Sequence, residues 1–327
     1  MRERCMNMPP SGRAGGRFPR TAGPARHFIS CPQGTAAKGA AQQDLRPGNQ
    51  IATLTCHNDA SAGAPMGRVR LSELTLEVRD EGSGPPAVLL HGFPTTHRLW
   101  DGVIPVLRDA GLRCIAPDLA GYGLSDSPGG EPGMERQAGW LAELLDALGV
   151  HAALLVAHDV GSAAAQILVA TDPSRARGLI VSDGVYADQW AMDQVGSIQT
   201  WDPDKADRLA PVLARRMRSP GLSGDAIRRM LEPYQGAEGG LRLIRAARAL
   251  EPRETASRLP ALRAAGVPSL VLWGESDRYL PIDTIARPLA QLLRAELRLL
   301  PGGHFLPAET PQAFADEVLR FIRTLPP

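Results

Sequence analysis

The run Ala152-Ala-Leu-Leu-Val-Ala-His-Asp-Val-Gly-Ser162 decides the fold. Leu154 to Ala157 is short and wholly apolar, the pattern of a strand buried on both faces. The chain then breaks over His158-Asp159-Val160-Gly161, and a small-residue helix follows from Ser162 to Ala170. Strand, tight turn and helix lift one side chain above the end of a parallel sheet. The spacing small-x-nucleophile-x-Gly is that of a nucleophile elbow, with Ala157 and Gly161 in the small positions. Asp159 holds the nucleophile slot, and a carboxylate there governs which chemistry to consider.

Working outward, strand and helix patterns alternate. Arg68 to Arg79 alternates apolar and polar residues as half-buried strands do, and Asp80 to Pro86 is a turn. Ala87 to Leu90 reads as a buried strand running into His91-Gly-Phe-Pro-Thr-Thr96. Leu99, Trp100, Val103, Ile104 and Leu107 mark a helix. Arg113 to Ala116 is the next strand, and Pro117 to Asp126 is a loop. Trp140, Leu141, Leu144, Leu145 and Leu148 lie on one helix face that ends at Gly149. After the elbow, Gly178 to Ser182 is a strand that ends at Asp183-Gly184. The alternation then stops: Leu209–Met217, Ile227–Leu231 and Leu241–Leu250 read as short helices. It resumes at Pro268–Trp273, with a last strand at Ala295–Leu300 and an amphipathic helix carrying Phe314, Val318, Phe321 and Ile322. This order predicts an α/β fold, a mostly parallel sheet covered by helices on both faces, with a helical cap inserted. The expected division is a core over 66–184 and 259–327 with the cap over 185–258.

Residues 1–65 differ in composition. They are rich in Gly, Ala, Pro and Arg and poor in acids, which predicts an extension without its own core. A disordered tail, or an upstream extension of a start at Met66, is that reading, and a cleaved Arg-rich organellar targeting peptide is the other. Over the whole chain of 327 residues, 36 Lys and Arg face 35 Asp and Glu, so nothing favours a nucleic-acid partner. No apolar run is long enough for a membrane span. Three of the four cysteines lie before residue 66 and the fourth is Cys114, so no disulfide framework or zinc spacing exists. A reducing, cytoplasmic compartment is the default. No metal or cofactor is expected. Self-association is left open.

Candidate reactive groups fall where strands end. Asp159, Asp277 and His304 occur in the order nucleophile, acid, histidine. A serine in the elbow needs a base to remove its proton, whereas a carboxylate is already ionised near neutrality. It can displace a leaving group at saturated carbon to give an alkyl ester. His304 would then activate water against that ester, with Asp277 orienting the imidazole. Backbone N–H groups of Phe93 and Val160 would hold the developing oxyanion. Asp183 is an alternative acid partner. Ser162 lies beyond the elbow glycine and is not the nucleophile.

From about Gly67 onward the chain resembles the α/β-hydrolase fold family. The matching stretches are His91-Gly-Phe-Pro94, Ala116 to Asp126, Ala157-His-Asp-Val-Gly161, Trp273-Gly-Glu-Ser-Asp277 and Gly303-His-Phe-Leu-Pro307. The aspartate elbow is most similar to the branch holding epoxide hydrolases and hydrolytic dehalogenases. That resemblance implies a small hydrophobic substrate and water as reactants. It also implies side chains that stabilise the leaving group. Many haloalkane dehalogenases place Asn and Trp where Phe93 and Val160 stand, and neither residue here has a side-chain donor. Phe93-Pro94 and Gly121-Tyr-Gly123 look more like epoxide hydrolases, which use two cap tyrosines. Tyr186 and Tyr234 are the cap candidates, with Trp190 and His91 as further pocket residues. Epoxide hydrolysis to a diol is therefore the first expectation. Hydrolytic dehalogenation of a haloalkane or haloacid is the second. A ligand-binding member of the fold without catalysis is the third.

Overall fold

The computed structural model describes residues 55–58, 65–130 and 132–326. Among these residues nine strands form one sheet: β1 (Thr55–Asn58), β2 (Pro65–Arg70), β3 (Thr75–Glu81), β4 (Pro86–Leu90), β5 (Arg113–Pro117), β6 (Ala153–Asp159), β7 (Ala176–Gly184), β8 (Ser269–Gly274) and β9 (Glu296–Leu300). Their spatial order is β1-β2-β3-β5-β4-β6-β7-β8-β9. The first three pair antiparallel, as does β3 with β5, and every pairing from β5 to β9 is parallel. The alternating run expected over 68–79 is two strands, because Leu71 to Leu74 turns and closes with Leu71 N–H donating to the Leu74 carbonyl at 2.8 Å. The extension expected over 1–65 falls outside the described residues, except for β1 and Pro65, which lie in the sheet.

Among the described residues, twelve α-helices accompany the sheet: α1 (Val103–Asp109), α2 (Met134–Ala147), α3 (Gly161–Thr171), α4 (Met192–Gln199), α5 (Leu209–Arg216), α6 (Gly224–Leu231), α7 (Gly236–Arg248), α8 (Arg253–Ala256), α9 (Leu259–Ala265), α10 (Arg287–Leu293), α11 (Leu306–Glu309) and α12 (Pro311–Ile322). Strand β6 is buried along its whole length and α3 along nearly all of its own, which explains why both are apolar or small throughout. Between β7 and α9 the chain is helical apart from a single bridge between Tyr186 and Gln189. Helix α7 begins at Gly236, five residues before the periodic apolar run at Leu241. Its glycines hid it. A Cβ on Gly240 would stand 1.9 Å from the Ala206 carbonyl oxygen, so only glycine lets α7 approach that turn.

The helical segment between β7 and α9, where the cap is expected, is tied to the sheet-bearing part by polar contacts that its own sequence pattern does not reveal. Buried Tyr234 sends its hydroxyl to the Thr95 carbonyl at 2.9 Å and receives the Gly123 N–H at 2.9 Å. Arg242 donates to the Ser125 carbonyl at 2.6 Å. Glu254 accepts from the Met134 and Glu135 N–H groups at the start of α2. No helix among the described residues is long and apolar enough to cross a membrane.

Two helical glycines predict opposite outcomes on substitution. Gly139 of α2 is exposed with nothing near its missing Cβ. Gly139→Ala is expected to stabilise the fold by about 0.5–1 kcal/mol. Gly240→Ala is expected to destabilise it by about 2 kcal/mol or more, through backbone overlap with Ala206. Chemical-denaturation midpoints of the two variants check both signs.

Candidate active site

Asp159 ends β6 and lies at φ 47°, in the left-handed region. Asp tolerates that region better than most residues, but the conformation still has to be held by its surroundings. The surroundings do so. A Cβ on Gly161 would meet the His91 carbonyl oxygen at 2.2 Å, and one on Gly92 would meet the Asp159 Cβ at 2.4 Å. Both positions therefore need glycine for the turns to close. The Ser162 hydroxyl donates to the Asp159 carbonyl at 2.6 Å and accepts the Val185 N–H at 3.0 Å, pinning the elbow to the exit of β7. Ser162 thus braces the elbow, a role consistent with its place beyond the glycine.

The Asp159 carboxylate faces two backbone donors. Phe93 N–H reaches Oδ2 at 2.8 Å, and the Val160 N–H also bonds the carboxylate. Burial raises the Asp159 pKa above the ordinary carboxylate value, opposed by the His304 charge and these two donors. The Phe93–Pro94 peptide that shapes this turn is cis. His91 sits behind it, fully buried, its Nε2 accepting the Leu119 N–H at 3.0 Å and its Nδ1–H reaching the Gly92 carbonyl at 3.0 Å. Burial lowers the His91 pKa to about 4, so it is neutral and braces the turn rather than lining a cavity.

His304 follows β9 and directs Nδ1 at Asp277 Oδ2, 3.0 Å away. The other oxygen of Asp277 accepts the Tyr279 and Leu280 N–H groups at 2.8 and 3.1 Å. Burial disfavours the His304 charge, but the Asp277 charge and hydrogen bond, then Asp159 and Asp183, outweigh it and raise its pKa to about 9. His304 is therefore an imidazolium at neutral pH. His158, neutral with its pKa lowered to about 3 chiefly by burial, donates Nε2–H to the His304 carbonyl at 2.8 Å. Asp183 does not compete for His304: Oδ1 accepts the Gly274 N–H at 2.7 Å and Oδ2 the Ser182 hydroxyl at 2.7 Å. Burial, then the neighbouring Asp277 charge, push its pKa well above the ordinary carboxylate value. Asp118 holds its loop, accepting the His97 N–H and Nδ1–H and the Leu124 N–H at 2.8–2.9 Å.

A cavity of about 70 Å³ opens on this group. Phe93, Pro94, Asp159, Tyr279, His304 and Phe305 line it from the core. Ala191, Gln194, Val195, Ile198, Leu213, Arg216 and Met217 line it from the cap. The expected pocket aromatics are elsewhere. Tyr234 has its hydroxyl committed to Thr95 and Gly123. Trp190 donates Nε1–H to the Ala187 carbonyl and the Thr255 hydroxyl, both at 3.2 Å. Tyr186 packs against the core beside them, and none of the three lines the cavity. Periodicity could place these residues in the cap but not on its inner face. Gln194, Arg216 and Tyr279 were not anticipated as lining residues. The one sequence signal for them is the acid-free run Arg215-Arg-Met-Arg218 at the end of a cap helix.

The profile of the alpha/beta hydrolase fold family matches residues 85–311, and the chain belongs to that family. Haloalkane dehalogenase 2 of Mycobacterium tuberculosis is 30% identical over 258 residues, covering 73% of this chain and 88% of its own. An epoxide hydrolase of Caballeronia sordidicola is 27% identical over 320 residues, covering 82% of this chain and 96% of its own. Among solved structures, a haloalkane dehalogenase from Bradyrhizobium elkani matches with a TM-score of 0.67 at 26% identity, covering 83% of this chain and 98% of its own. The chain is thus an α/β-fold hydrolase, and the reading as a ligand-binding member without catalysis is set aside.

Because Asp159 contributes to the raised His304 pKa, removing that charge has a predicted sign. In Asp159→Asn the His304 imidazole is expected to titrate below its wild-type midpoint of about 9. Following its ring resonances by NMR across pH checks this. An unchanged midpoint would mean that the two groups are not coupled.

Proposed function

We propose that the chain hydrolyses an epoxide to a diol through an ester of Asp159. The observation that carries this reading is the seating of the carboxylate. One oxygen sits on the Phe93 N–H while the residue faces a cavity shared with His304. The free oxygen attacks an oxirane carbon, the carbon–oxygen bond breaks, and an alkoxide forms. The expected cap tyrosines do not line the cavity, so another donor must serve. His304 is protonated before the reaction and supplies the proton, becoming neutral.

Ester formation also removes the Asp159 charge, one of the groups that hold the imidazolium. Neutral His304 is then fit to take a proton from water. The resulting hydroxide attacks Cγ of the ester, and the oxyanion forms on the oxygen already facing Phe93 and Val160. On collapse, the added hydroxyl gives its proton to the departing alkoxide. Diol leaves, Asp159 is again a carboxylate and His304 is again protonated, so the cycle closes.

Displacement of halide is the second reading, favoured by the 30% identity to a haloalkane dehalogenase. It would use the same ester but needs no proton for the leaving group. The two readings separate in product and in pH. An epoxide substrate yields diol, and single-turnover ester formation is expected to fall as pH rises through about 9, where His304 loses its proton. Halide displacement would release halide and would not lose its first step there.

His304→Gln is expected to lower turnover roughly 10²–10⁴-fold: it slows ring opening by removing the proton donor and blocks ester hydrolysis by removing the base, so the ester still accumulates. Intact-protein mass spectrometry should then show an adduct on Asp159 equal to one substrate mass for an epoxide. No adduct with any substrate that wild type turns over would sink the covalent mechanism.

A further inference from the structure

We propose that Arg216 forms a carboxylate subsite in the cavity, so that the preferred substrate is a small organic acid carrying the reactive carbon. This deepens the Asp159 reading and rests on it for the reaction. Arg216 lies in the last turn of α5 and lines the cavity together with Asp159. Its side chain makes one described hydrogen bond, Nη1 to the Ser197 hydroxyl at 2.9 Å, and among the described residues no carboxylate lies within ion-pair distance. The nearest catalytic charge does not need it. Asp159 is already met by the Phe93 and Val160 N–H groups and by His304. A half-buried guanidinium without an anion is an uncommitted fork of donors, and a carboxylate matches that fork bidentately.

The setting reinforces this. Arg278 donates to the carbonyls of Arg216 and Arg218, and Tyr279 donates its hydroxyl to the Arg216 carbonyl at 2.6 Å. The turn that presents Arg216 is therefore fastened to the segment next to Asp277. Arg218 and Arg278 line an adjoining cleft that shares Met217, Tyr279, His304 and Phe305 with the cavity. Neither has a carboxylate partner among the described residues. The one acid in that cleft, Glu309, is occupied by the Gly303 and Phe305 N–H groups at 2.8 and 3.1 Å. Arg216 in the cavity and Arg218 and Arg278 in the adjoining cleft, none of them ion-paired among the described residues, add positive potential beside the site, which favours small anions. The walls beyond Arg216 are apolar (Val195, Ile198, Leu213 and Met217), which suits a short hydrocarbon body.

The test compares an acid with its neutral isostere. Cyclopropanecarboxylate and cyclopropanecarboxamide mimic oxirane acids and amides but cannot react, so their binding is independent of any ester. Calorimetric titration of the full-length wild-type protein is expected to favour the carboxylate by tenfold or more, as for a charge-assisted hydrogen bond. In Arg216→Gln that ratio should collapse toward one, and Arg216→Lys should retain part of it. In parallel, wild type should turn over oxirane-2-carboxylate with a higher kcat/KM than oxirane-2-carboxamide. A wild-type ratio near one, or a preference that survives in Arg216→Gln, would overturn the subsite. Inorganic phosphate competing as strongly as cyclopropanecarboxylate would overturn the assignment to carboxylates. Failure of the Asp159 reading looks different: the binding preference would persist while neither oxirane leaves an adduct on Asp159.

Discussion

The structure turns on one strained residue. Asp159 must adopt a left-handed backbone so that its carboxylate can reach the Phe93 N–H. Such a conformation costs on the order of 1–3 kcal/mol and persists only where neighbours over-determine it. Here three separate elements do. The turn after β4 supplies Gly92 and the His91 carbonyl, α3 supplies Gly161 and Ser162, and the end of β7 supplies the Val185 N–H. The Gln166 side chain joins the last two by donating to the Val185 carbonyl at 2.9 Å. The parallel order β4-β6-β7 is what brings those three strand ends together. Sheet topology and the geometry of Asp159 are thus one constraint seen at two scales.

Electrostatics follow from the same crowding. Three aspartates surround one histidine, yet they are not equivalent. Asp277 has its oxygens filled by His304 and two backbone N–H groups, which hold its pKa down against burial. Asp183 lies deeper and is pushed the other way by burial and by Asp277 itself. The two acids are therefore shifted in opposite directions, and Asp183 serves as a hydrogen-bonding group that joins Gly274 to Ser182. Asp159 alone exchanges its charge during the proposed reaction. A histidine whose proton affinity depends on the nucleophile can act as acid before the ester forms and as base after it.

Legibility in the sequence divided along the same line between local and tertiary information. Strands β4 to β9 were readable because each is a short apolar run beside turn residues. Asp159, Asp277 and His304 were readable because a strand's end fixes where the next side chain points. The cap was readable as helices but not as a surface. Tyr234 is the clearest case: as a cap tyrosine it suggested a donor to substrate, yet its hydroxyl bridges Thr95 and Gly123 far along the chain. Which face of a cap helix looks inward depends on how α4, α5 and α7 pack together, and no single period encodes that. Helix α7 was shortened in the reading because Gly236, Gly239 and Gly240 resemble a loop, although Gly240 is there for close packing.

The contacts between cap and core give this division a functional sense. Arg278 and Tyr279 hold the turn at 216–218, while the adjacent Asp277 orients His304. A shift of that cap turn would therefore be felt through two residues at the acid that sets the imidazole. Tyr279 also stacks edge-on against His304, with ring centroids 5.0 Å apart. In the proposed reaction, recognition of substrate at Arg216 and orientation of His304 share one short segment, Asp277 to Tyr279. Cap and core need not communicate over distance: a group bound at Arg216 pulls on the same turn whose far side fixes the histidine. On the proposed reading, specificity and reactivity are coupled by adjacency, and a swap of the helical segment that ignored residues 277–279 would be expected to disturb both.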